Sequence, residues 1–489
     1  MILYDAAGKK NILFLAADDM RPNLGAYKNA NKNIFAHPPM HTPNLDALAD
    51  ESLLFLNAFA QQALCGPSRT SLLTGRRPDT TRITQCYDYW RDMGGNFTTI
   101  PQFFKEHGYR TLGAGKIFHP GNNSNNNDIG FSWTDPYHLG YTIPKNRQIR
   151  AKDIVVWKAF SSDEVRKRPL VDTRGADYII ERLREVAPMA KYNDTPFFVA
   201  FGTEKPHMPF YFPEEFLQFY KEEDVHMPYN PYCPIDMPKI AWHRPPVLNF
   251  VDCSRKAMGI SDLGKINVTY PPWKTKEIRR AYYAAISYVD HEIGRVLNEI
   301  KNLGLEENTI IVFWSDHGFS LGEHASWAKQ TVFDIANRVP FMMKIPGVTE
   351  NGFKTRNLVE LVDIFPTLVE AAGFPSMDSC PKDSHDVALC SEGSSLMPLF
   401  EDPKRKDWKD AVFWQYPRGL KVGMRGMNET WPRLPPLMGY AIRTKRYRYT
   451  EWVHIKNLGG LNYTPDWAHP ADDEELYDHK IDPQENVNR

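Results

Sequence analysis

A chain of 489 residues that is 42% hydrophobic and 13% aromatic is too apolar for disorder. It is long enough for one large α/β domain with a smaller appendage, or for two to three average domains. Lys plus Arg (59) nearly cancels Asp plus Glu (60), which excludes the global field that drives non-specific nucleic-acid or membrane binding and leaves an anionic substrate to a local basic pocket.

No apolar run reaches the roughly 18–20 residues that span a bilayer. The start, Met1-Ile2-Leu3-Tyr4-Asp5, is too short for a signal peptide, so a leader has been removed or none exists. Lys9 to Ala17 is an apolar run that stops at Asp18-Asp19, the pattern of a buried parallel strand with acids at its carboxyl end. Thr42-Pro43 opens a helical pattern through Leu45, Leu48, Ala49 and Leu53. Cys65-Gly66-Pro67-Ser68-Arg69 precedes Leu72 and Leu73, and Thr74-Gly75-Arg76 closes that stretch, which puts Cys65 near a helix amino terminus, an end that stabilises anions. A helix over Thr99 to His107 and a strand over Arg110 to Ala114 follow, then an Asn-rich loop, Asn122 to Asn127. Ala176 to Val186 is helical and Pro196 to Phe201 is a second buried strand.

From Lys276 to Leu303 apolar residues recur at helical spacing (Ile278, Ala281, Tyr282, Ala285, Ile286, Val289), and Gly304 stops the helix. Asn308 to Ser315 is another buried strand, ending in Asp316-His317-Gly318, so both acidic groups share one structural position. Ligands of open parallel sheets bind outside such strand ends. Val339 to Ile345 reads as a strand and Leu358 to Ala372 as a helix, before an irregular stretch from Pro375 to Lys409. A boundary near Pro403 separates residues 1–402 from a smaller unit, 403–489, in which Ala411 to Gln415 and the alternating Tyr440 to Val453 predict an antiparallel sheet.

The six cysteines contain no C-x-x-C pair. Cys380 with Cys390, and Cys233 with Cys253, are placed to close loops; buried thiols are the alternative. Acceptor triplets at Asn96, Asn122, Asn267, Asn428 and Asn462 favour a secreted or lysosomal glycoprotein. Asp18, Asp19 and Asp316 are hard oxygen donors suited to calcium, although paired acids after a strand are also ordinary caps or solvated turns. His317 suits a transition metal better. Each remaining Lys or His, taken singly, reads as a solvated or satisfied side chain.

Together they do not. C-x-P-S-R at Cys65 followed by L-T-G-R resembles the motif at which sulfatases have their cysteine oxidised to formylglycine. Gly115-Lys116-Ile117-Phe118-His119, Lys205-Pro206-His207-Met208-Pro209 and Lys329 after Trp327-Ala328 resemble further segments of that family, in family order. The resemblance implies an alkaline-phosphatase-like α/β fold, with a large, mostly parallel sheet flanked by helices and a smaller C-terminal domain with an antiparallel sheet. It implies a catalytic set of Cys65, Arg69, Lys116, His119, His207 and Lys329, and one calcium ion on Asp18, Asp19, residue 65, Asp316 and His317. A formylglycine-generating enzyme is the implied maturation partner, and a sulfated glycosaminoglycan or sugar the substrate, with no nucleic-acid or membrane partner.

Phe55 to Pro78, Gly95 to Pro101 and Met438 to Thr444 are most similar to the iduronate 2-sulfatase branch, in which the counterparts of Cys380 and Cys390 are bridged. That branch implies removal of 2-O-sulfate from a terminal uronate of heparan or dermatan sulfate. Lys205, Arg76 and the basic segment Arg418 to Arg433 are then the candidates for the uronate carboxylate, with Asp128 for a sugar hydroxyl. Phe319 stands where a pocket tryptophan is expected, and Tyr137 to Arg168 is short and lacks a cysteine pair. Three alternatives remain: a sulfatase of other sugar specificity, a phosphatase or phosphonate hydrolase, and a silent protein that only binds sulfated glycans.

Overall fold

The computed structural model describes residues 9–139, 155–192, 195–242, 265–418, 436–459 and 462–489. Seven strands form the main sheet: β1 (Asn11–Ala17), β2 (Leu53–Phe59), β3 (Arg110–Gly115), β4 (Phe197–Gly202), β5 (Thr309–Ser315), β6 (Arg338–Lys344) and β7 (Phe353–Glu360). Their order is β7-β2-β6-β5-β1-β4-β3, parallel except for β6, which runs against both neighbours. No crossover helix carries the chain back between β5 and β6, so β6 re-enters from the edge at which β5 ended.

Alternation along the strands sorts the core into two layers. Leu13, Leu15, Val199, Phe201, Ile311 and Phe313 pack with α1 (Pro43–Asp50), α4 (Val171–Tyr192) and α5 (Pro272–Asn302). Ile12, Phe14, Phe198, Ala200, Val312 and Trp314 face α2 (Cys65–Thr74), α3 (Ile100–Glu106) and α6 (Ile364–Ala371). With both faces covered, the strands have no polar side to show, which is why they read as apolar runs.

A second sheet follows, with β8 (Ala411–Arg418), β9 (Leu437–Thr444), β10 (Tyr447–Gly459), β11 (Asn462–Pro465) and β12 (Asp473–Asp478), all pairs antiparallel. Val412 and Trp414 of β8 meet Phe59 and Leu358 of the main sheet in a shared apolar cluster. The architecture is thus the α/β sandwich with an antiparallel C-terminal sheet that the sequence predicts.

Two assignments are corrected. Leu53 belongs to strand β2, not to the helical pattern before it, because Leu53 to Phe59 pairs with both β6 and β7. Leu358 to Glu360 likewise extend β7, paired to Asn57–Phe59, and the helix starts only at Ile364. Cys380 and Cys390 are disulfide-bonded, whereas Cys253 lies outside the described residues, as do residues 140–154 of the segment Tyr137 to Arg168 and 419–433 of the segment Arg418 to Arg433.

Candidate active site

Strand register builds the site. Ala17 of β1 lies beside Ser315 of β5, and Ala16 beside Gly202 of β4, itself beside Gly115 of β3. The residues that follow, Asp18-Asp19, Asp316-His317 and Lys116, therefore emerge together at the carboxyl edge of the sheet, as the sequence predicts for the two acidic groups. Gly115 has φ +74, and a Cβ there would lie 1.9 Å from the Gly202 carbonyl oxygen, so only glycine lets β3 close on β4 at this point.

α2 points its first turn at the same place, with Cys65 buried at its amino end. The Cys65 Sγ is 3.0 Å from Lys329 Nζ, 3.4 Å from His317 Nε2 and 3.7 Å from Asp19 Oδ1. Arg69, one turn along, donates through Nε to Asp316 Oδ2 (2.9 Å) and through Nη2 to Asp18 Oδ1 (3.1 Å), which locks the two strand ends to each other. Lys116 pairs with Asp18 and Lys329 with Asp19. His207 places Nε2 4.0 Å from Asp19 Oδ2. Three carboxylates thus face three cations in a buried, charge-balanced cluster.

That balance sets the ionisation. Burial would raise the Asp18 and Asp19 carboxyls, but Lys116 holds Asp18 well below its usual range, and Lys329 brings Asp19 down to about 2. Burial and then Asp18 push the Cys65 thiol up, so the unmodified residue is a poor nucleophile. His119 is held near 3 by burial and then Lys116, and its Nδ1 has no partner among the described residues.

The donor set fits a metal ion. Asp18, Asp19, Cys65 and His207, and again Asp19, Cys65, Asp316 and His317, have ligand atoms within 4.8 Å of one another. Asp19 Oδ2 is buried without a hydrogen-bond partner, an acceptor that a cation would satisfy. His317 Nδ1 is 2.8 Å from the Gly318 carbonyl oxygen, which fixes the tautomer and leaves the Nε2 lone pair toward Asp19 and Cys65. Asp19 takes φ +63, a left-handed backbone that aspartate tolerates better than most residues.

Four basic or acidic candidates for the sugar pocket are committed elsewhere. Lys205 is buried and donates to the carbonyls of His207 and Pro209, both at 2.9 Å, so it braces its own loop. Arg76 is buried against Phe97 and donates to Val387 O (2.8 Å), anchoring the disulfide loop. Asp128 is buried in an ion pair with Arg91 (2.7 Å). Arg418 donates to the carbonyls of Ile240, Gln330 and Ala241. Phe319 stacks on Tyr282 in the core rather than lining a pocket. What the sequence reading missed is a cavity of about 240 Å³ beside the cluster, lined by Lys116, His207, Asp172 and Glu204. Asp172 accepts from the N–H groups of Glu204 (2.7 Å) and Lys205 (3.1 Å), and burial, then Glu204, raises its carboxyl to about 7. Glu204 adjoins the K-P-H segment and was within reach of sequence reasoning; Asp172, in the first turn of α4, carried no such signal.

Residues 10–374 match the sulfatase family, and residues 322–489 match the C-terminal region of N-sulphoglucosamine sulphohydrolase. The chain belongs to the sulfatase family and is a sulfuric ester hydrolase. It is 38% identical to iduronate 2-sulfatase of Mus musculus, over 91% of this chain and 84% of that one. Two solved structures share the fold. One is of a protein in complex with its substrate D-glucosamine-2-N,6-O-disulfate, with TM-score 0.65 and 21% identity over 98% of this chain and 93% of that chain. The other, phosphonate monoester hydrolase of Agrobacterium radiobacter, has TM-score 0.65 and 22% identity over 98% and 91%. The architecture therefore serves more than one oxyanion ester, and the choice of sulfate rests on the sequence match.

Proposed function

We propose that this enzyme removes 2-O-sulfate from a terminal uronate, such as iduronate, of heparan or dermatan sulfate, using a formylglycine made from Cys65. The observation that carries the chemistry is the convergence of Cys65, Lys329, His317 and Asp19 at the amino end of α2. The uronate reading is supported by the 38% identity to iduronate 2-sulfatase. The catalytic unit spans residues 1–402, and residues 403–489 complete the cleft.

As its hydrate, a formylglycine at position 65 supplies one hydroxyl to attack sulfur and a second whose deprotonation expels the sulfate, which a serine or thiol has no means of doing. Calcium held by Asp18, Asp19, Asp316, His317 and residue 65 supplies charge stabilisation for that oxygen and for the sulfate. The protein's own groups do the rest. Arg69 clamps Asp18 against Asp316 and so fixes the ligand geometry. Lys116, paired with Asp18 beside residue 65, and His119, three positions further on, are the groups we assign to the sulfate oxygens. His207 has Nδ1 2.5 Å from Met208 O, which leaves its Nε2 lone pair toward the site as an acceptor. Lys329, which brings N–H donors to residue 65, is the group placed to protonate the leaving oxygen.

A formylglycine-generating enzyme is the maturation partner in this reading. The Cys380–Cys390 disulfide favours an oxidising compartment, and we place the mature protein in the lysosome or outside the cell. No helix among the described residues is long and apolar enough to cross a membrane. The test is turnover of defined disaccharides: a 2-O-sulfated terminal uronate is desulfated much faster than a 6-O-sulfated glucosamine. The opposite preference overturns the uronate assignment and leaves the sulfatase.

A further inference from the structure

The outer face of the second sheet carries a concavity of about 410 Å³. Strand register makes its floor. Gln415 lies opposite Tyr440, which lies opposite Glu451; Phe413 lies opposite Ile442, which lies opposite Tyr449. Residues paired in this way share one face of the sheet. A face turned to water is normally polar. Here Phe413 keeps 46% of its surface exposed, and Trp467, which walls the cavity 5.1 Å from Tyr440, keeps 55%. The facing wall is Arg77, Pro78 and Asp79, just beyond the carboxyl end of α2.

The carboxylates and hydroxyls in this cavity are acceptors, or donors already engaged. Asp79 accepts from Gln415 Nε2 (2.8 Å), Tyr463 OH (3.0 Å) and Tyr440 OH (3.0 Å). Tyr449 OH donates to Glu451 (2.8 Å). The Arg77 guanidinium is committed to both oxygens of Glu360 (2.8 and 2.9 Å). An ionised carboxylate has about four acceptor positions, so Glu451 and Asp79 Oδ2 keep room for further donors. Gln61, 1% exposed, lines the same cavity, and its Oε1 is buried with no hydrogen-bond partner. A buried acceptor left unpaired is costly, and a ligand hydroxyl would relieve it.

We propose that this cavity binds a neutral saccharide unit, its C–H face against Trp467 and Tyr440 and its hydroxyls donating to Glu451, Asp79 and Gln61. Two carboxylates, with no uncommitted cation among the described lining residues, disfavour a sulfated or uronate unit. Ten residues of α2, about 15 Å of rise, separate Cys65 from the Arg77–Asp79 wall, and although Gln61 is only four positions before Cys65, this lining shares no residue with the cavity beside the catalytic cluster. It holds a single uncharged sugar unit, such as an unsulfated N-acetylhexosamine, while chemistry proceeds elsewhere.

The test is calorimetric titration of the full chain with cellobiose, lactose and N,N'-diacetylchitobiose. At least one saturates the wild type, and Trp467→Ala and Glu451→Ala each weaken it by at least about tenfold, or 1.4 kcal/mol. Both variants keep wild-type turnover of an aryl sulfate. The proposal is overturned if no sugar saturates, if saturation survives both substitutions, or if tetramethylammonium or a sulfated disaccharide binds there while the neutral sugars do not.

Discussion

Lys329 and His207 approach the cluster from different loops and carry opposite hydrogen-bond character. Lys329 lies between Ala328 and Gln330, both with positive φ (+70 and +76), so a tight left-handed turn thrusts its ammonium inward. His207 presents an acceptor because its other nitrogen is engaged by Met208 O. An alkoxide leaving from a sugar needs a proton far more than a phenoxide does. Lys329→Ala should therefore cost about a hundredfold more in kcat on a sugar sulfate than on an activated aryl sulfate. His207→Ala, which removes an acceptor, should harm both substrates alike. Equal losses for Lys329→Ala on the two substrates would remove it from the acid role.

At the scale of elements, the end of α2 is tied to the loop closed by Cys380 and Cys390. Gly75 ends the helix with φ +68, its carbonyl accepts from Glu392 N (2.8 Å), and Arg76 reaches Val387 O from the next position. Freeing this loop should loosen the helix terminus that lies far from Cys65. The double variant Cys380→Ser, Cys390→Ser is expected to lose about 2–3 kcal/mol in a denaturant titration, with sulfatase turnover at 25 °C retained. Unchanged stability would mean that the hydrogen bonds alone hold the loop. Elements with a strong period, such as α5, were legible because one apolar face repeats over many turns. β2 was not. Its sequence, L-L-F-L-N-A-F, is paired along both edges with residues 338–360, nearly 300 positions away, and covered on both faces, so no local alternation marks it. The same long-range pairing drew Leu358 to Glu360 out of the helix suggested by their apolar neighbours.

Across the whole molecule, the charged cluster around Cys65 is assembled from β1, β3, β5 and α2 and from the loops carrying His207 and Lys329, and it is electrically balanced by its own lysines and arginine. A chelated enzyme should consequently stay folded while losing turnover, and calcium should restore it. At about a hundred times its Kd, calcium should add about 2.7 kcal/mol of stability, read from thermal or denaturant melts. Full turnover after exhaustive chelation would remove the metal from the account. The cluster was legible in sequence because its members follow strand ends and sit in distinctive motifs. The candidates for the sugar pocket differ: Lys205 and Arg76 sit in such motifs and Asp128 follows the Asn-rich loop, but all three engage protein partners, and burial of that kind is decided by tertiary neighbours. The most direct test of the central claim is mass spectrometry of the peptide spanning Cys65, taken from protein that turns over a sulfate ester. The account predicts the aldehyde at position 65, in a fraction that tracks specific activity; a fully active preparation carrying only the thiol would contradict it.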